Sequence, residues 1–371
     1  MASTDPKHQG RTLILCFDGS GDSFDDDNTN IVRFFSALEK NKPDQQLCYY
    51  QPGIGTYVSP AAAWSPTLKK IAEKIDFAVA WYLDTHIMGG YRFLMENYRR
   101  GDRICIFGFS RGAYTARCLA GMLHKVGLIP KSNEEQVSFA YSKYIDTSPG
   151  SRVRAAGFKA AFSTPVDIEF MGVWDTVSSV GIKGRHLPFT SSNTIIRTFR
   201  HALSLDEHRA KFQPNPWHNP SNSKEAAKND PECGSALYDT KGLTRLELAQ
   251  NWFRDILGDG ANDTKANGKA KGNAHKKVKS VADIPQQSQG PGGCRPMADE
   301  GDVEDVYWNG TETDVREVWF SGCHTDVGGG SVKNDTPERL ANVSLCWMLN
   351  EIVKAEATIF FKEGAFSDIP A

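Results

Sequence analysis

The sequence predicts an α/β fold, a mostly parallel central sheet flanked by helices. Three observations carry this. Short apolar runs without polar alternation recur along the chain, the pattern of strands buried on both faces. Stretches of helical periodicity separate them, and strands alternating with helices build parallel sheets. One run, Ile104 to Phe109, passes through Gly108-Phe109-Ser110-Arg111-Gly112 straight into a helical pattern (Tyr114, Leu119, Met122, Leu123).

Taken in order, Thr12 to Phe17 is the first such strand, and it runs into the polar glycine loop Asp18-Gly19-Ser20-Gly21-Asp22. An Asn-capped helix follows over Asn30 to Leu38, with Ile31, Phe34, Phe35 and Leu38 as its apolar positions. Gln46 to Tyr50 reads as a second strand, ending in the turn-rich Gln51-Pro52-Gly53-Ile54-Gly55-Thr56. Ser65-Pro66 opens a long helix, a cap followed by a proline in the first turn. Gly89-Gly90 is expected to interrupt it before Tyr91 to Tyr98. After the Ser110 segment, Asp167 to Trp174 is another apolar strand. Ile195 to Leu205 and Leu246 to Leu257 read as helical, Glu317 to Phe320 as a last short strand, and Leu340 to Ala355 as an amphipathic helix.

Residues 258–304 break the pattern. They are rich in Gly, Asn, Lys and Pro, basic at Lys265 to Lys279 and acidic from Asp299 to Asp305, with almost no apolar periodicity. The reading is a disordered low-complexity insertion. A basic lipid- or nucleic-acid-binding arm is the alternative, but no aromatics interleave the lysines.

The whole chain has 371 residues, 40% hydrophobic and 24% charged, with a formal net charge of −2. That supports one large α/β domain and carries no electrostatic footprint of a nucleic-acid partner. The eight cysteines are scattered without a CxxC pair, as expected of reduced thiols in a cytoplasmic protein. Met1 to Arg11 has no apolar signal region, and no run reaches membrane-spanning length. The expectation is a soluble protein, with peripheral membrane contact left open.

Strand, Gly-x-Ser-x-Gly and helix make the context of a nucleophile elbow, so Ser110 is the candidate nucleophile. A side chain at Gly108 or Gly112 would collide with neighbouring backbone in so tight a turn. The turn also puts the Arg111 N–H at a helix N-terminus, where a developing oxyanion is stabilised. A serine needs a histidine base and an orienting carboxylate, which in the α/β-hydrolase fold follow in the order Ser, Asp, His after later strands. Asp175, directly after the strand ending at Trp174, fits the acid. His324, in the small-residue loop Gly322-Cys323-His324-Thr325-Asp326-Val327-Gly328-Gly329-Gly330 after the last strand, fits the base. The other eight of nine histidines lie in polar tails, Pro-flanked loops or helical patterns.

The loop after the first strand is the expected second oxyanion donor, through Gly19 or Ser20. Rival readings of these loops fail on spacing. A haloacid-dehalogenase-type phosphatase needs a second Asp where Ser20 stands. Asp22, Asp25, Asp26 and Asp27 do not follow EF-hand spacing and read as a solvated acidic turn. No Gly-Lys-Ser/Thr follows Gly108, which excludes a Walker loop. No metal and no cofactor are expected.

Four segments together carry a family resemblance: Phe17 to Gly21, Gly108 to Arg117, Gly172 to Val177 and Cys323 to Gly330. With Tyr50 to Thr56 and Leu203 to Arg209, the chain resembles the α/β-hydrolases of the type VI secretion phospholipase-effector family, from about Thr12 to about Leu349. The resemblance implies a Ser-Asp-His phospholipase, and position by position it falls on Ser110, Asp175 and His324. The chain departs at Ser20, where the family often has Thr, and at Thr325, where Ala or Ser is commoner. It also lacks the large apolar insertions of the bacterial effectors.

The expected molecule is a single α/β-hydrolase domain with a helical cap over 186–257 and the insertion over 258–304. The expected function is that of a serine hydrolase cleaving carboxylic esters, first of all a lipid esterase or phospholipase, through Ser110, His324 and Asp175 and an acyl-enzyme; the substrate is a small-molecule or lipid ester. A short-acyl carboxylesterase, thioesterase or peptidase is the enzymatic alternative, and a catalytically silent binding protein the non-enzymatic one.

Overall fold

The strand Thr12–Phe17 (β1) is buried along its whole length and lies inside the sheet. Its neighbours are Gln46–Gln51 (β2) and Arg103–Phe109 (β3), followed outward by Ile168–Trp174 (β4), Ile196–Ser204 (β5) and Asp314–Phe320 (β6). Every pair is parallel, in the order β2-β1-β3-β4-β5-β6. This computed structural model describes residues 10–19, 26–53, 68–177, 187–217 and 313–367, with the backbone alone for 68–81 and 211. Because β2 and β3 flank β1 on opposite sides, the connections leaving β1 and β3 diverge. The crevice at such a reversal is where open α/β sheets place their sites.

Side-chain alternation divides the core in two. Leu13, Leu15, Phe17, Ile104 and Ile106 face one layer, made by Leu68–Asn97 (α2), Arg111–Val126 (α3), Glu134–Ile145 (α4) and Ser151–Phe162 (α5). Ile14, Cys16, Cys105, Phe107 and Phe109 face the other, made by Asn30–Ala37 (α1), the short His324–Gly328 (α6) and Leu340–Lys354 (α7). The six described cysteines are free thiols. Among the described residues no helix is long and apolar enough to cross a membrane.

Four expectations change. Gly89-Gly90 does not interrupt α2, which runs unbroken to Asn97. A Cβ on Gly90 would lie 2.7 Å from Phe17 Cζ and 2.9 Å from Leu119 Cδ2, so the glycine lets the helix press onto β1 and α3. Thr29, not an asparagine, caps α1 by accepting from the Val32 N–H at 3.2 Å. Asn30 turns inward instead, its Nδ2 bonding Val327 O at 3.0 Å and Ala341 O at 2.9 Å.

The largest correction concerns Ile195 to Leu205, expected as a helix within the cap and found as the strand β5. Its apolar positions matched a helical period because two inward positions are polar. Arg200 is buried and pairs with Glu351 of α7 at 2.7 Å and with Asp314 at 2.5 Å, while His201 pairs with Glu317 at 2.8 Å. With charges in place of apolar residues, the strand's own signature is lost. The rest of that cap, from residue 218, the Leu246 to Leu257 helix and the 258–304 insertion lie outside the described residues. Helices α4 and α5 were not anticipated. For α4 the signal was present: Asn133 before it, Glu134 and Glu135 in its first turn, and Val137, Ala140, Tyr141 and Tyr144 buried at helical spacing.

Candidate active site

Ser110 sits between β3 and α3 with φ at 57° and ψ at −125°, a region that costs a non-glycine residue about 1–3 kcal/mol. The surroundings hold it there. Its N–H donates to Trp174 O at 3.0 Å, and its carbonyl accepts from the Tyr114 and Val177 N–H groups at 3.3 Å each. The two elbow glycines behave as their positions demand. A Cβ on Gly108 would lie 2.6 Å from Ala113 Cα, and one on Gly112 would lie 2.3 Å from the carbonyl oxygens of Phe17 and Asp18. Glycine at both sites is what lets α3 start against the C-terminal ends of β1 and β3.

His324 opens α6, where Cys323 and Asp326 form a reciprocal capping pair across the first turn. The expected small-residue loop is thus one short helix. It directs the imidazole at Ser110, with Nε2 2.7 Å from Oγ. The other ring nitrogen, Nδ1, lies 2.5 Å from Asp175 Oδ2. A carboxylate accepts, so Nδ1 carries the hydrogen and Nε2 is the acceptor facing the hydroxyl. Phe109 stacks on the imidazole at 4.7 Å and Phe212 meets it edge-on at 4.8 Å, which fixes the ring plane. All three residues are buried, Ser110 the least at 6% exposure.

Asp175 follows β4 in a turn with φ at 37°, its N–H held by Ala202 O at 2.7 Å. Its carboxylate has a second set of donors. Ser204, the last residue of β5, gives its N–H to Oδ1 at 3.0 Å and its hydroxyl to Oδ2 at 2.8 Å. The sequence reading had no role for Ser204, although it lies in the Leu203 to Arg209 segment.

The rest of that segment clasps the histidine. Asp206 and Gly322 exchange bonds, the Gly322 N–H to Oδ2 at 2.7 Å and the Asp206 N–H to Gly322 O at 3.1 Å. Glu207 Oε2 accepts from the His324 N–H at 3.3 Å. Arg209 bonds the Glu207 carboxylate through its backbone N–H, Nε and Nη2 at 2.8, 2.9 and 2.7 Å. These bonds, the guanidinium ones first, hold the Glu207 carboxyl down at about 2. Glu207 and Arg209 were not expected at the site. Their place in the Leu203 to Arg209 segment, one of those that carry the resemblance, is the signal that could have suggested them.

The loop after β1 is organised by Asp18. Its buried carboxylate accepts from the Gly19 N–H at 2.8 Å, the Thr29 hydroxyl at 2.7 Å and the Tyr50 hydroxyl at 2.7 Å. Gly19, expected as an oxyanion donor, therefore directs its N–H at Asp18, and Ser20 lies outside the described residues. Arg111 occupies the first position of α3, half-buried. Its backbone N–H belongs to the first turn, which has no acceptor within its own helix. Among the described residues no group of three His, Cys, Asp or Glu side chains is arranged to hold a metal ion. Of the acidic turn, Asp22 and Asp25 lie outside the described residues.

An all-parallel sheet with a serine on its elbow, and a histidine and an aspartate converging there, defines an α/β-hydrolase-type protein. Residues 11–351 match the family described as type VI secretion system phospholipase effector Tle1-like, catalytic domain, and the chain belongs to that family. Over 219 residues it is 41% identical to the uncharacterized protein YEL023C of Saccharomyces cerevisiae, covering 55% of this chain and 32% of that protein. Two solved structures are also similar. One is an uncharacterized protein from Pseudomonas aeruginosa, 16% identical with a TM-score of 0.42 over 95% of this chain and 47% of that one. The other is the Tle1 effector bound to the VgrG spike, 17% identical with a TM-score of 0.30 over 55% and 47%. The chain thus spans 32% of the yeast relative and 47% of each solved chain.

Proposed function

We propose that the chain is a serine hydrolase that cleaves carboxylic esters of lipids through an acyl-enzyme. The observation that carries this reading is the 2.7 Å approach of Ser110 Oγ to His324 Nε2, with Asp175 on the far side of the same ring. Membership of a phospholipase-effector-like family supports a lipid substrate.

The chemistry follows from these atoms. Ser110 Oγ attacks the ester carbonyl as its proton moves to His324 Nε2, and Asp175 stabilises the imidazolium. The tetrahedral intermediate collapses, the C–O bond to the alcohol breaks, and Nε2 returns the proton to the departing alkoxide. Water then attacks the acyl-enzyme with His324 as base, which restores Ser110 and releases the carboxylic acid. The Arg111 N–H is one oxyanion donor, a contact worth about 3 kcal/mol in the transition state. The second comes from the loop after β1, through Ser20 or through Gly19 exchanging its bond to Asp18 for one to the oxyanion.

The test is turnover of phospholipid vesicles and of p-nitrophenyl esters of graded acyl length, for wild type and Ser110→Ala. Long-acyl turnover that disappears in the variant supports the proposal. Turnover confined to short esters, thioesters or peptides moves the chain to those classes. Turnover equal in both proteins, or absent from both, contradicts it, and absence from both favours a binding protein.

A further inference from the structure

A second buried imidazole lies next to the triad's acid and plays no part in the chemistry above. His201 is in the middle of β5 and fully buried. In the sheet register it stands between Val173 of β4 and Glu317 of β6. Its Nε2 accepts the backbone N–H of Thr176 at 3.1 Å, and its Nδ1 lies 2.8 Å from Glu317 Oε1. Both contacts fix its state. A nitrogen that accepts an N–H carries no hydrogen, so the hydrogen is on Nδ1 and is donated to the carboxylate. Burial holds the imidazole's pKa below its ordinary value, which keeps it neutral. The charged groups around it are Glu317 of β6, Arg117 of α3 and Asp175 at the end of β4.

The peptide that His201 grips joins Asp175 to Thr176. Asp175 has a positive φ, and the turn after it is tied at three further points. Asn215 N–H bonds Thr176 O at 3.1 Å, Val177 N–H bonds Ser110 O at 3.3 Å, and the Asp175 N–H bonds Ala202 O. Arg117 holds the Asn215 side of this frame through the carbonyls of Asn215 and Thr190. Glu317 is itself anchored by the Trp217 N–H at 2.9 Å. Of these ties, only the Thr176 N–H ends on a side chain whose tautomer decides whether the bond exists. A hydrogen on Nε2 would oppose donor to donor.

We infer that His201 and Glu317 form a positioning dyad: Glu317 holds His201 in the Nδ1–H tautomer, and Nε2 then fixes the Thr176 peptide and with it the reach of Asp175 to His324. The inference rests on the serine-hydrolase reading.

The experiment compares wild type, His201→Phe and His201→Gln, measuring kcat and KM on a p-nitrophenyl ester, the rate of Ser110 labelling by a fluorophosphonate, and thermal stability. Phenylalanine keeps the ring without the acceptor, and glutamine places an amide oxygen near the Nε2 position. Misplacement of a catalytic group by about 1 Å costs on the order of 100-fold, so His201→Phe should lose about that in kcat and labelling rate with little change in KM. His201→Gln should recover most of the loss at similar stability. Wild-type protein that labels, with His201→Phe labelling equally fast, overturns the dyad and leaves the hydrolase reading standing. Equal losses in the two variants overturn it as well, since the acceptor would not be what matters. An unlabelled wild type removes both readings together. If His201→Phe does not fold, the tautomer itself decides. Long-range 1H–15N correlation of histidine-labelled wild type should show His201 with its hydrogen on Nδ1, and an Nε2–H tautomer contradicts the inference.

Discussion

Ser204 gives both of its donors to Asp175, the N–H to Oδ1 at 3.0 Å and the hydroxyl to Oδ2 at 2.8 Å. Asp175, the candidate acid, is thus held by the strand next to its own. Its Oδ2 serves two partners at once, Ser204 and the His324 ring 149 residues away in sequence. Ser204→Ala removes the hydroxyl and keeps the N–H. A fall in kcat of about 10-fold with KM unchanged is expected, since one hydrogen bond to a charged group is worth about 1.5–3 kcal/mol. Steady-state kinetics on a soluble ester checks this.

Gly112→Ala should be severely destabilising. Its new Cβ would lie 2.3 Å from the backbone carbonyl oxygens of Phe17 and Asp18, at the end of β1, and these are not flexible side-chain atoms that could yield. The expected loss is about 3 kcal/mol or more, the upper range for overpacking, read as a lower urea midpoint. A variant as stable as wild type would mean that the elbow and β1 do not touch as described.

Acid should loosen the clasp over the histidine. The Glu207 carboxyl, at about 2 when folded against an ordinary 4.5, contributes stability that is fully present above pH 4.5. That contribution is lost as pH falls through about 2. Glu207→Gln should remove this component, so its denaturation midpoint should fall less than that of wild type between pH 4.5 and 2.

The Arg200–Glu351 pair, at 2.7 Å with both side chains buried, joins β5 to α7. Glu351→Leu alone should cost about 3 kcal/mol, because Arg200 loses its buried carboxylate and keeps only the exposed Asp314 as an ion-pair partner. Replacing both, Arg200→Met with Glu351→Leu, should recover much of that. A double-mutant cycle in urea measures the coupling.

What the sequence made legible follows from where information is local. Ser110 was readable because strand, glycines and helix fall within ten residues and each obeys a steric rule. Asp175 and His324 were readable because both follow strands in the order the fold requires, and the geometry brings both to Ser110. β5 was misread because Arg200 and His201 occupy core positions, and the partners that neutralise them, Glu351 and Glu317, are far away in sequence. Gly90 was misread for the opposite reason. A glycine pair in isolation looks like a breaker, and only contact with Phe17 and Leu119 explains it. Ser204 and Glu207 lay in a segment that carried the resemblance but no role, and His201 carried no local sign, because each matters through a bond to a distant part of the chain.

In the proposed mechanism Ser110 is a nucleophile activated by His324. Fluorophosphonate labelling of the folded wild-type chain, with the modified peptide identified by mass spectrometry, tests it most directly. One adduct is expected on Ser110, none in Ser110→Ala, and labelling slowed at least about 1,000-fold in His324→Ala, given how triads lose rate when one member is removed. A folded wild type that takes up no label, or His324→Ala labelling at the wild-type rate, would contradict it.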